Sequence, residues 1–175
     1  MNLPNILSIS RIFLFVPIIL LFENGFFLFS LLIFIIAALT DYFDGYFARK
    51  NNQTSKVGSL LDLIADKIFV SSLLIWMTFY FDNLIILISS ILIISREISI
   101  SNLRLFIITE SQQLTEVKSD FLGKFKTTFQ MVSIGFIFAS PYTSDTFFKL
   151  SLGLIFFSSL ISWVSFLSYL KKWTV

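Results

Sequence analysis

Long apolar runs, interrupted at fairly even intervals by short polar stretches, dominate the chain. The breaks fall at Glu23-Asn24-Gly25, between Lys50 and Lys56, at Asp82, between Thr109 and Lys126, and at Pro141 to Asp145. The runs between them predict helices over residues 6–22, 26–49, 59–81, 84–108, 127–139 and 146–170, all but the short fifth about the length needed to cross a hydrocarbon core. Residues 1–10 are polar enough to lie at an interface, with Pro4 suited to a helix start. Arg11 and the apolar run after it imitate a signal peptide. However, Phe22-Glu23-Asn24-Gly25 offers no small-residue cleavage site, so the first helix is read as retained. The expected fold is all-α: a polytopic membrane protein of six transmembrane helices with a short N-terminal interfacial segment, forming one domain over residues 1–175. Neither an internal repeat nor a low-complexity linker interrupts it.

Composition supports this reading. Hydrophobic residues make up 56% of the chain and charged residues 14%, and the mean hydropathy is +0.87. That is more apolar surface than a soluble domain of 175 residues could bury. The chain has neither Cys nor His, which excludes disulfides, Cys/His zinc sites, Ser-His triads and a histidine base. Acid-base chemistry then falls to Asp or Glu. The net charge of +2 says less than its placement. One set of connections carries Glu23, Asp82 and Asp145, with Lys149 the only basic residue near them. The other Lys and Arg, among them Arg49, Lys50, Lys56, Lys124, Lys126, Lys171 and Lys172, gather on the opposite side. By the positive-inside tendency that side is cytoplasmic, and it holds both termini. Arg11 is read as snorkelling to the headgroups in preference to binding a lipid phosphate.

The residues most demanding of a chemical explanation lie on this cytoplasmic side. Asp41 and Asp44 are three apart, and Asp62 and Asp66 four apart, so on a helix each pair shares a face. Carboxylates at the ends of apolar helices are costly and usually functional. If the two helices meet at the hairpin from Lys50 to Lys56, the four converge into an oxygen-rich site for Mg²⁺, Mn²⁺ or Ca²⁺. Two such ions about 3.5–4 Å apart could clamp a phosphate during in-line attack. Gly45, Ala48 and Gly58 would let a diphosphate or nucleotide approach the backbone, or alternatively let helices pack closely. Arg49 could grip phosphate in a fork. A plain salt-bridge network with Arg49 and Lys67 is the competing account of the four Asp, and the regular spacing argues against it.

Asp41, Asp44, Gly45, Ala48, Arg49, Gly58, Asp62 and Asp66 match D-x2-D-G-x2-A-R-x8-G-x3-D-x3-D at every fixed position. This pattern resembles that of the CDP-alcohol phosphatidyltransferase family. The resemblance implies a six-helix membrane enzyme, usually homodimeric, in which an alcohol displaces CMP from a CDP-linked lipid. It further implies that Asp41, Asp44, Asp62 and Asp66 hold two Mg²⁺ or Mn²⁺ ions, and that Asp66 also takes the acceptor proton. By the same resemblance, Gly45, Ala48, Arg49 and Gly58 bind CDP-diacylglycerol, with the Ser55 hydroxyl a further candidate.

The acceptor is read from helices four and five. Arg96, Glu97 and Arg104 are too many charges for a lipid-facing helix. Together with Lys124 and Lys126 they form a cationic group suited to an anionic acceptor, although membrane anchoring also accounts for the two lysines. The segments Arg96 to Arg104 and Gly123 to Thr127, and the opening Asn2 to Arg11, are similar to stretches of bacterial phosphatidylglycerophosphate synthases. Leu105 departs from that likeness, where those enzymes commonly carry Glu. The implied reaction joins the phosphatidyl group of CDP-diacylglycerol to glycerol 3-phosphate in phospholipid biosynthesis. Its setting would be the bacterial inner membrane, with the active site cytoplasmic and no nucleic acid partner. Sister enzymes using inositol phosphate, serine or phosphatidylglycerol are the nearest alternative. A cation transporter fits less well, because the cluster lies at helix ends and Gly45, Ala48 and Arg49 would have no task.

Overall fold

The computed structural model describes residues 3–50, 56–111 and 121–174, by backbone alone at 3–8, 41–50, 56–57, 59, 62, 104–105, 107–111, 121–125 and 172–174. The described residues form α1 (Leu3–Glu23), α2 (Phe27–Lys50), α3 (Lys56–Phe81), α4 (Leu84–Ser111), α5 (Phe121–Ala139) and α6 (Asp145–Thr174), with a 3₁₀ turn at Ser140–Tyr142. All six expected helices are present. They run further than the apolar runs alone predict, chiefly at one end of the bundle. The interfacial segment expected at residues 1–10 is, from Leu3 onward, the first turns of a continuous α1. Helix α5 starts at Phe121 instead of near residue 127. Lys124 and Lys126, in the polar stretch before the expected start, lie inside the helix, as suits a good helix former.

Neighbour relations among the described residues close a ring: α1 packs on α2 and α3, α3 on α4, α4 on α6, α6 on α5, and α5 on α2. Each helix contributes one buried stripe at helical spacing. On α2 it runs Ser30, Phe34, Ala37; on α4 Ile86, Ser90, Ile93, Arg96, Ile100; on α5 Lys126, Gln130, Ser133, Ile134, Ile137. The outward surface is apolar instead of polar, with Phe79 90% exposed and Leu84, Phe13 and Phe157 also largely exposed. Such a surface suits lipid. Among the described residues, three helical stretches are long and apolar enough to cross a membrane: Leu63–Phe81, Leu84–Leu103 and Asp145–Lys171.

Hydrogen bonds from side chains to backbone carbonyls pin the seams. Ser30 Oγ donates to the Ile18 carbonyl at 2.8 Å across α1 and α2. Trp163 Nε1 donates to the Leu92 carbonyl at 2.9 Å across α4 and α6. In lipid, where apolar contact gains little over acyl chains, close approach and such hydrogen bonds hold helices together. Gly135 of α5 meets α2 at Phe34, where a Cβ would lie 3.4 Å from Phe34 Cε1, the near edge of ordinary contact.

Candidate active site

Helices α1, α2 and α3 organise the site, because α1 lies between the other two and packs on both. Asp41 and Asp44 fall in the last turns of α2 and Asp62 and Asp66 in the first turns of α3, on opposite sides of the 51–55 connection. In helical phase, Asp41 and Asp44 continue the buried stripe Ser30, Phe34, Ala37, at spacings of three and four. Asp62 and Asp66 likewise lead into Ala65, Phe69 and Leu73, the buried stripe of α3. The Phe34 and Phe69 rings stack at 6.2 Å, so the two stripes face each other just below the carboxylate positions. Both motif halves thus sit on inward-facing registers at one end of the ring. The side chains of Asp41, Asp44, Ala48, Arg49 and Asp62 lie outside the described ones, Gly45 is described by its backbone alone, and Ser55 lies outside the described residues; Gly58 is a partly buried residue of α3's first turns.

Asp66 has a partner that sequence reasoning missed. Arg11 Nη1 donates to Asp66 Oδ1 at 2.8 Å. Arg11 is only 1% exposed. The reading of Arg11 as a headgroup-seeking side chain is therefore corrected. Its register on α1 matches the buried Ile18 and Phe22, so the guanidinium lies in the α1/α3 seam, where an ion pair offsets the cost of burial. The one available signal was the expense of a charge inside an apolar helix.

A second polar group spans α3 to α6. Lys67 Nζ, next in sequence to Asp66, donates to Ser101 Oγ, and Ser101 Oγ donates to the Glu97 carbonyl at 2.6 Å. Glu97 Oε1 accepts from Arg96 Nη1 at 2.7 Å and from Lys126 Nζ. Arg96 Nε also donates to the Ser162 carbonyl at 3.2 Å. Arg96 and Lys126 are both buried. The two are brought together as expected, but around Glu97, whose hub position the sequence did not reveal. Arg104 continues the α4 stripe four residues beyond Ile100, and Lys124 lies on α5 two residues before Lys126; neither side chain is among those described.

The arrangement places carboxylate-bearing positions and a cationic interhelical group at the same end of the bundle. The family model for CDP-alcohol phosphatidyltransferase matches residues 1–169. The chain belongs to the CDP-alcohol phosphatidyltransferase family. Within it, the chain is 37% identical over 175 residues to the CDP-diacylglycerol--glycerol-3-phosphate 3-phosphatidyltransferase of Wigglesworthia glossinidia brevipalpis, covering 97% of this chain and 93% of that one. Proteins of the same name from Salmonella choleraesuis and Shigella flexneri serotype 5b are 33% and 32% identical, with the same coverage. The phosphatidyltransferase motif therefore sits within a match that runs nearly the whole chain.

The donor set fits a hard divalent cation. Four carboxylates at two inward helical registers would supply oxygen ligands, and the chain has no thiolate or imidazole to favour a softer metal.

Proposed function

We propose that this protein transfers the phosphatidyl group of CDP-diacylglycerol to glycerol 3-phosphate, giving phosphatidylglycerophosphate and CMP in phospholipid biosynthesis. The observation that carries the reading is the complete eight-position motif, whose four Asp are in register with the facing buried stripes of α2 and α3. Its full-length similarity to enzymes of that name supports the choice of acceptor.

Asp41, Asp44, Asp62 and Asp66 would hold two Mg²⁺ or Mn²⁺ ions, which when bound supply charge neutralisation at the phosphates. Gly45, Ala48, Arg49, Ser55 and Gly58 bind the CDP portion, while the acyl chains stay in lipid. Arg96, Arg104, Lys124 and Lys126 hold the acceptor phosphate. Asp66, steadied by Arg11, takes the proton of the glycerol primary hydroxyl as that oxygen attacks the lipid-linked phosphorus. The new P–O bond forms as the bond to CMP breaks. Buried Arg96 and Lys126 share Glu97, so the acceptor phosphate meets cations whose positions are already fixed.

The protein works as a homodimer in a bacterial cytoplasmic membrane, crossing it six times, with both termini and the active site on the cytoplasmic side. Assay of the purified chain with CDP-diacylglycerol and labelled glycerol 3-phosphate, inositol phosphate or serine tests the reaction. Label should enter lipid from glycerol 3-phosphate alone; label entering from another acceptor in its place overturns the assignment. Cysteines placed at Gln53 and Asn24 of this Cys-free chain should react from opposite faces of sealed vesicles. Reaction from one face would refute six crossings.

A further inference from the structure

At the opposite end of the bundle, far along α1 and α3 from the aspartates, a cavity of about 570 Å³ opens on the outer seam between these two helices. Its upper part is formed by Glu23, Trp76, Phe79 and Tyr80, and its lower wall by Phe15, Ile75 and Ser72. From Phe15 to Glu23 the seam rises about 12 Å, at about 1.5 Å per residue. It is thus an elongated groove with one carboxylate at the top and rings, aliphatic carbon and the Ser72 hydroxyl beneath.

The carboxylate is held in place. Trp76 Nε1 donates to Glu23 Oε1 at 2.8 Å, and the Trp76 ring packs on Tyr80 at 5.1 Å and on Phe138 at 5.7 Å. Among the described residues Glu23 has no cationic partner. The same groove is rich in aromatic rings, of which Phe79 is 90% exposed. An exposed, immobilised carboxylate beside Tyr and Phe rings is the chemistry that recognises an ammonium group, through charge and cation–π attraction together.

Two features say that the ammonium belongs to a lipid. The lower wall is apolar but for the Ser72 hydroxyl, and its α3 side lies on Leu63–Phe81, a stretch long and apolar enough to span a membrane, which suits a ligand that continues as hydrocarbon. A second copy of this chain offers a poor alternative, since among the described residues Lys149 on α6 is the one basic residue near this end. We propose that the Glu23/Trp76/Tyr80 groove binds a phospholipid with a primary-ammonium headgroup, its ammonium against Glu23 and an acyl chain along Phe15 and Ile75. The site is separate from the reaction and independent of the acceptor assigned above.

Native mass spectrometry of the detergent-solubilised full chain tests this, with dilauroyl phosphatidylethanolamine and dilauroyl phosphatidylglycerol as probes. Glu23→Gln should weaken retention of phosphatidylethanolamine about tenfold and leave phosphatidylglycerol unchanged. Phe79→Ala, at a position too exposed to matter for folding, should weaken the same lipid severalfold. Phosphatidylethanolamine bound equally by wild type and both variants overturns the proposal. So does a parallel loss of both lipids, which would mark a general lipid belt.

Discussion

The two ends of the helix ring are built from different interactions. Where α1 finishes, Phe22 is fully buried and meets Phe27, Trp76, Tyr80, Phe81 and Phe138 edge-on, with ring centroids between 4.7 and 6.1 Å. Where α2 finishes, the contacts are ion pairs: Arg11 with Asp66, and Arg96 and Lys126 with Glu97. Helices α1 and α3 run parallel between these ends and are pinned at both, by Arg11–Asp66 and by Glu23–Trp76. Interlocked rings gain from dispersion and tolerate no water, which makes a durable clamp without chemistry. Ion pairs in a low-dielectric setting are directional and can be redirected to a phosphate, at the risk of leaving a buried charge if one partner is lost. Stability should therefore be concentrated at one end and reactivity at the other.

The largest effect belongs to the aspartates. Asp41→Asn, Asp44→Asn and Asp62→Asn each exchange an anionic ligand for a neutral amide, a poor donor to a hard cation. CMP release should fall at least about a hundredfold, as when an electrostatic stabiliser is lost elsewhere, while unfolding in mixed micelles moves little. Near-normal turnover in all three at ordinary Mg²⁺ would remove the metal-centred account. Phe22→Ala should do the reverse. It empties the space touched by five rings and should cost about 3–5 kcal/mol in unfolding free energy, with CMP release per folded molecule unchanged. A matched loss of activity would mean the two ends are coupled.

How far each end could be read from sequence follows the same division. At the aromatic end, helices stop where Gly25, Asp82 and Pro141 stop them, and these local signals place the boundaries closely. At the carboxylate end, charges at Lys124 and Lys126 imitate a loop, yet α5 runs through them because Lys126 turns inward to Glu97. The motif itself was legible, since a spacing of three or four fixes the face of a helix without knowledge of its neighbours. Arg11 was not. Its partner is 55 positions away, and the pairing follows only from the parallel packing of α1 on α3.

Glu97 tests whether the cationic group is held together as a unit. Glu97→Ala would leave buried Arg96 and Lys126 side by side without their shared carboxylate and should lower stability by about 3 kcal/mol. Glu97→Gln, which keeps an acceptor but not the charge, should lower it less. A smaller effect is expected at Arg104, at the end of the α4 stripe. Arg104→Ala should raise the apparent KM for glycerol 3-phosphate more than it lowers kcat, by about 2 kcal/mol or roughly thirtyfold in kcat/KM. The KM for CDP-diacylglycerol should move little. If the liponucleotide KM rises in its place, the two substrate pockets are exchanged.

The smallest effects lie in the two turns at the aromatic end, which use the same backbone conformation with different residues. Gly25 has φ +81° and closes α1: the Phe26 N–H bonds to the Leu21 carbonyl at 2.8 Å and the Gly25 N–H to the Phe22 carbonyl at 3.0 Å, the paired bonds of a Schellman cap. A Cβ on Gly25 would meet nothing within 4 Å, so Gly25→Ala incurs only the backbone cost of the left-handed region, about 1 kcal/mol. Asp82, between α3 and α4, adopts φ +41° while carrying a side chain. Asp82→Gly removes that strain but adds freedom to the unfolded chain, so it should stabilise by less than about 1 kcal/mol. Unfolding of the two variants in mixed micelles should thus shift in opposite directions, with CMP release unaltered in both. A loss at Gly25 well above that figure would show that the α1–α2 turn is held by contacts beyond its own cap, and an altered CMP release would tie this end to the reaction after all.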